Sequence, residues 1–208
     1  MARNLKPDCR QCRRIGEKLF LKGLRCYSEK CAIEKKRGVP GISKRRRGKF
    51  SDFGLQLNEK QKVKKMYGMM EGQFRKYYER AARMAGVTGH NLLTLLEMRL
   101  DNVVFRAGFS ASRTQARQFV RHGHIIVNGR EVNIPSFHVK IGDSIEIKEK
   151  FRQNNFLKSA MESRSADNVP EWIQADYEHY KAIIGRAPER ADVSDTINEK
   201  SIVEFYSK

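Results

Sequence analysis

Four cysteines stand in one short stretch of a 208-residue chain: Cys9 and Cys12 separated by two residues, then a thirteen-residue spacer, then Cys26 and Cys31 separated by four. No cysteine lies elsewhere. A pair two residues apart lets both sulfurs reach one ion from a tight turn, and a second pair a short loop away completes a tetrahedron. That spacing is the pattern of structural zinc sites. The segment also needs such a clip. Residues 1–50 hold few large apolar side chains, with Leu19, Phe20, Leu21 and Leu24 the main group, and metal binding can supply folding free energy that a small core cannot. The four thiolates therefore point to one structural Zn2+. An iron–sulfur cluster uses the same ligands and stays open as the alternative. Two disulfides do not suit a reducing cytoplasm.

A second cluster follows the cysteines. Lys44, Arg45, Arg46, Arg47 and Lys49 crowd five cations into six positions, after Gly38, Pro40 and Gly41 have broken regular structure. Such a run repels itself unless a polyanion binds, so it reads as an exposed RNA contact. A third cluster is helical. Arg113, Arg117 and Arg121 recur every four residues and share one stripe, while Ala116, Phe119 and Val120 form another about 107° away at 100° per residue. One face is thus buried and the other offers guanidiniums to phosphates. His122 and His124 follow, and their setting suits packing or phosphate contact. No side chain in the sequence reads as a catalytic base.

Charge supports a polyanionic partner. The net charge is +18, unevenly spread. Residues 1–50 carry 17 Lys/Arg against 4 Asp/Glu, whereas residues 151–208 carry 8 against 10. Phosphate neutralisation with release of counterions is the physical reason for such a balance. Charged residues make up 32% and hydrophobic residues 39%, which suits a folded protein with a thin core. Apolar runs extend only a few residues, as at Ile125-Ile126-Val127, far short of the about 20 needed to span a membrane. The N-terminus leads into no secretory h-region, so the expected compartment is the cytoplasm.

The elements that must position these residues are legible in part. Ser51-Asp52 caps a helix near 53–66, ended by Gly68, and a second helix covers about 71–85 up to Gly86. Thr88 can cap a third helix, in which Leu92, Leu95, Leu96, Leu100, Val103 and Val104 fall at helical spacing and form core. Ser112 with Gln115 makes a capping box that opens the Arg-striped helix. Residues 124–132 read as a hairpin turning at Asn128-Gly129, and Ser144–Ile147 as a further strand.

Four sequence stretches resemble the small RNA-binding module named after bacterial small-subunit ribosomal protein "S-four". They are Leu100-Asp101-Asn102-Val103-Val104, Ser112-Arg113-x3-Arg117, His122-Gly123-His124-Ile125 and Val127-Asn128-Gly129. The flanks extend the resemblance to the S-four family over essentially the whole chain: Glu59-Lys60-Gln61-Lys62, Tyr67-Gly68, Gln73-Phe74-Arg75 and the final Glu204-Phe205-Tyr206-Ser207-Lys208. The resemblance implies an α+β fold: a mainly helical domain built from both chain ends, an inserted small α/β RNA-binding module, and an N-terminal four-cysteine metal clip. The implied division is residues 1–50 for clip and basic loop, 51–98 with about 190–208 for the helical domain, and 99–189 for the module and its extension. It also implies direct binding to small-subunit rRNA, with Lys60 and Lys62 among the contacts, and nucleation of the subunit body. Small-subunit protein five and messenger RNA would be neighbours, with an influence on translational accuracy and, in some members, repression of the protein's own operon mRNA. Where the family has Pro-Gly-Gln-His-Gly, this chain has Pro40-Gly41-Ile42-Ser43-Lys44. Two other readings use the same features. An RNA-modifying enzyme would need a catalytic domain for which too little core remains. A zinc-dependent transcription regulator would need a helix built for major-groove readout.

Overall fold

A computed structural model describes residues 7–41, 51–163, 169–194 and 196–207. The basic run at Lys44, Arg45, Arg46, Arg47 and Lys49 lies outside the described residues. The chain divides into two compact units. One joins the N-terminal part up to Leu92 with the segment from Ser194; the other is Leu93–Val193. Among the described residues no helix is long and apolar enough to cross a membrane.

The first unit is helical. Helix α1 (Asp8–Ile15) ends where Gly16 takes a left-handed φ of 94° and its N–H reaches Cys12 O at 2.8 Å. Helix α2 (Asp52–Met66) starts as the sequence requires, with Ser51 Oγ accepting from the Gly54 N–H at 3.2 Å, Asp52 in the first turn and Lys64-Lys65 in the last. Helix α3 (Glu71–Ala82) stops short of the expected residue 85. Asn91 explains the early stop. Its Nδ2 donates toward the carbonyls of Ala81, Met84 and Ala85, satisfying chain-end acceptors that a further helical turn would otherwise use. Helix α8 (Glu199–Tyr206) lies on α2, with Gln56 Nε2 donating to Glu204 Oε2 at 2.9 Å and Phe53 and Phe205 rings 5.5 Å apart. Tyr206 stacks on Tyr78 at 4.5 Å, next to the buried Phe74.

The second unit holds an antiparallel sheet in the order β2-β1-β3-β5-β4, formed by β1 (Ile125–Val127), β2 (Arg130–Glu131), β3 (Ser144–Ile147), β4 (Ile173–Asp176) and β5 (Lys181–Ile184). The expected hairpin is present, and Asn128 and Gly129 adopt φ of 49° and 76°, as a type I′ turn demands. Strands β4 and β5 and helix α7 (Asn155–Ser163) went unread in the sequence. Register places Ile125 against Ile147, Val127 against Ile145, and Ile173 against Ile184. These side chains all face one apolar core, which also takes Trp172, Phe109, Phe119 and Val120.

One expectation is corrected. The apolar periodicity from Thr88 to Val104 is two helices, α4 (Thr88–Glu97) and α5 (Leu100–Arg106), with the boundary between the units falling inside α4. Residues 135–139 intercept the helical hydrogen bonds between them: the Leu100 N–H donates to Phe137 O at 2.9 Å, and Val139 N–H to Met98 O at 2.9 Å. Arg99 is left extended and bridged to His138. The hydrophobic spacing is the same for one helix or two, so periodicity alone does not show the break.

Glu71, at the start of α3, ties α2 to α8. Burial pushes its carboxyl up, but hydrogen bonds from Lys60, Lys64 and Tyr206 outweigh that and hold it at about 2, against an ordinary 4.5. The folded state thus favours the carboxylate, and its contribution is complete above pH 4.5 and lost as pH falls toward 2. Because the side chain is 45% exposed, water screens the pairs. Glu71→Gln is expected to cost about 1–2 kcal/mol at pH 7. In paired chemical-denaturation curves the gap to the parent should close between pH 4.5 and 2; a gap that stays constant to pH 2 refutes the assignment.

Candidate nucleic-acid interface and cysteine cluster

The four cysteines come together. Cys9 and Cys12 share one turn of α1 rather than a tight non-helical turn, Cys26 ends a 3-10 helix at Gly23–Cys26, and Cys31 follows in a turn. All four line one small cavity with Asp8, Lys22 and Arg25. Cys12, Cys26 and Cys31 are buried and Cys9 half-buried, each a free thiol. The Lys22 backbone N–H donates to Cys26 Sγ at 3.3 Å. Burial pushes the Cys12 and Cys26 thiols up; the Leu19 and Lys22 N–H groups respectively oppose that, and the neighbouring cysteines push further up. Among the described residues, no three His, Cys, Asp or Glu side chains stand in ligand geometry about a common point. Four thiols are the donor type that a tetrathiolate ion would take. Four sulfurs border one space, and two cations border the same space to offset the charge of deprotonated ligands.

In the second unit a polar lattice sets the face that α6 (Arg113–Arg121) presents. Arg99 has no exposed surface, and it donates to Asp101 through Nε at 3.0 Å and a terminal nitrogen at 2.6 Å. Arg117 on α6 donates to the same carboxylate at 3.1 Å. Beside it, Glu97 is fully buried and accepts from Asn102 Nδ2 and from both Nε and a terminal nitrogen of Arg106. Asn102 Oδ1 in turn accepts from Arg113 Nε at 2.7 Å, with the Arg113 guanidinium 4.6 Å over the Phe105 ring. Helix α6 opens with Ser112 Oγ accepting from the Gln115 N–H, while Gln115 Oε1 accepts from Ala111 N–H, one residue earlier than a regular capping box.

The expected row of three arginines therefore divides. Arg113 and Arg117 are half-buried and anchored to α5, whereas Arg121 is exposed at the helix end. His122 beside it is exposed too. His124 lies flat on Phe151, centroids 3.9 Å apart and planes 8° off parallel, with His122 5.9 Å away. Burial, His122 and Lys148 lower the pKa of His124, and Glu131 opposes them. Gly123 between the two histidines has φ 71°, and a Cβ there would come within 2.1 Å of Glu131 Oε1.

Lys60 and Lys62 are turned into the fold. Both are buried, at 5% and 3% exposure. Lys60 is spent on Glu71 at 2.7 Å and lies 4.6 Å over the Phe205 ring; Lys62 is spent on Glu17 at 2.8 Å, on Glu59 and on the Thr196 carbonyl. Their ammonium groups hold α2 to its neighbours.

The comparisons agree with this geometry. Residues 3–97 match the family model described as the ribosomal protein S4/S9 N-terminal domain, and residues 98–145 match the S4 domain. The chain is 52% identical to small ribosomal subunit protein uS4 of Nitrosospira multiformis over 208 residues, covering 100% of both chains. It is 53% identical to uS4 of Maridesulfovibrio salexigens and 51% identical to that of Natranaerobius thermophilus, again over 100% of both chains.

The lattice yields a separation of roles. Asp101→Asn strips the fully buried Arg99 of its counter-charge, and breaking a buried pair from one side costs about 3–5 kcal/mol. Arg117→Ala leaves Arg99 and Asp101 joined and should cost roughly 1 kcal/mol. Thermal melts of the two variants check this; equal losses would mean that Asp101 does not serve Arg99.

Proposed function

This chain belongs to the uS4 family of small ribosomal subunit proteins, and on that footing we propose that it is a primary rRNA-binding protein, not an enzyme. Its work is structural: it binds small-subunit rRNA directly and nucleates folding of the subunit body. The observation that carries this reading is 52% identity to a uS4 protein across the full length of both chains. The chemistry is compatible. RNA of this kind is met through phosphates and helix shape, and the second unit offers Arg121 and His122 exposed at the end of a helix whose other arginines are locked to α5. Ribosomes of bacteria place such a protein in the cytoplasm.

The finer reading adds neighbours and a metal. Contact with small-subunit protein five, nearness to messenger RNA where it enters the subunit, an influence on accuracy, and repression of its own operon mRNA follow from the S-four resemblance. The basic run Lys44–Lys49 is the segment best suited by charge to meet phosphates near the clip. The reading of one zinc ion held by Cys9, Cys12, Cys26 and Cys31 is supported by the four thiols lining one cavity, and an iron–sulfur cluster would use the same ligands.

Two measurements test this. The protein should co-sediment with small subunits through a moderate-salt wash, and recovery in the free fraction would overturn the ribosomal role. Protein prepared without chelator under reducing conditions should carry one metal ion per chain by elemental analysis. Cys26→Ser should raise hydrogen exchange in residues 7–35 and leave Leu93–Val193 protected; a metal-free parent would overturn the zinc assignment.

A further inference from the structure

Helix α3 carries a cationic ridge. Lys76, Arg80 and Arg83 are all exposed. At 3.6 residues per turn they fall within about 60° of one another, over a rise of about 10 Å. Phe74 and Ala81, both fully buried, lie roughly opposite. The helix is therefore fixed by one face, with Tyr78 stacked on Tyr206 and Asn91 closing its C-terminal end, and it presents the ridge on the other. Gly72 begins the same face with open space where a side chain would stand.

The carboxylates on this helix do not neutralise the ridge. Glu71 is taken by Lys60, Lys64 and Tyr206, and Glu79 by Arg75 at 3.1 Å. Among the described residues the three ridge cations have no ion-pair partner. The helix dipole favours cations in the last turn and accounts for Arg80 and Arg83. It does not account for Lys76 in the middle of the helix, where like charges at spacings of three and four residues repel.

We propose that Lys76, Arg80 and Arg83 form a second RNA-docking ridge, in the helical unit, that tracks the phosphate row of one strand of double-helical small-subunit rRNA. The claim rests on the ribosomal reading above and adds to it where the helical unit meets RNA. A polyanion converts the ridge's self-repulsion into affinity through counterion release. The contact is sequence-blind, because a straight cationic ridge meets backbone and no base edge. Lys60 and Lys62, in the neighbouring helix, leave this role to α3 because their charges are internal.

The test uses the full chain and a small-subunit rRNA transcript titrated at several salt concentrations. The triple variant Lys76→Gln, Arg80→Gln, Arg83→Gln should stay folded, since Gln is a good helix former and the sites are exposed. It should bind at least about tenfold more weakly at moderate salt, with the log–log salt slope reduced by about 2. Arg75→Gln, beside the ridge but paired with Glu79, should bind like the parent. As a readout independent of folding, Lys76 should be acylated by an amine reagent in the free chain and protected in the parent's RNA complex. A folded triple variant with parental affinity and slope overturns the ridge and leaves the RNA-binding reading intact. So does a Lys76 that stays reactive in the bound complex, or one protected only in whole subunits, where a protein would be covering it. A parent that fails to bind the transcript overturns the underlying reading, and the ridge with it.

Discussion

A guanidinium with no surface in water needs its charge met inside the protein, and Arg99 imposes that requirement on the whole second unit. It stands in the break between α4 and α5, its backbone bridged to His138. Asp101, two residues on, answers it with two hydrogen bonds, and its Oδ2 accepts from Arg117 of α6 as well. Glu97 does the same for Arg106 and Asn102, and Asn102 passes the link to Arg113. Two buried acids thus fix the rotation of α6 about its axis. Apolar packing of Phe119 and Val120 sets which side of α6 is buried. The lattice sets which arginine remains outside.

The first unit handles charge in a comparable way. Lys60 and Lys62 lie beneath the surface of a chain with net charge +18, tied to Glu71, Glu17 and Glu59. Their stems fill space among the helices while their heads stay paired. Net charge therefore overstates what is available for a partner. Part of the positive charge holds the protein together, and only the exposed remainder can release counterions from RNA.

The cysteine segment is the opposite case, with little packing to rely on. Leu19 and Leu21 are buried there, but Leu24 and Tyr27 are 58% and 71% exposed. Phe20 and Lys36 adopt φ of 51° and 48°, an unfavourable conformation for residues with side chains. A short chain held in such shapes would gain from a cross-link through its four sulfurs, which a bound ion would supply without a disulfide.

Much of this protein was decided locally and so was legible in the sequence. Ser51 and Ser112 start their helices, and Asn128-Gly129 turns its hairpin, because capping and positive φ depend on a few adjacent residues. The cysteine spacing, the basic run and the family motifs are likewise local patterns. The rest required tertiary structure. Strands β4 and β5 are four residues each and gain their stability from pairing, β5 with β3 and β4 with β5. The break at Arg99 depends on residues 135–139, far along the chain. The inward turn of Lys60 and Lys62 and the outward turn of Lys76, Arg80 and Arg83 depend on where carboxylates and apolar faces meet in space. A lysine's charge is written in the sequence. Whether that charge faces water, a carboxylate or a phosphate is set by the long-range contacts that bury its neighbours.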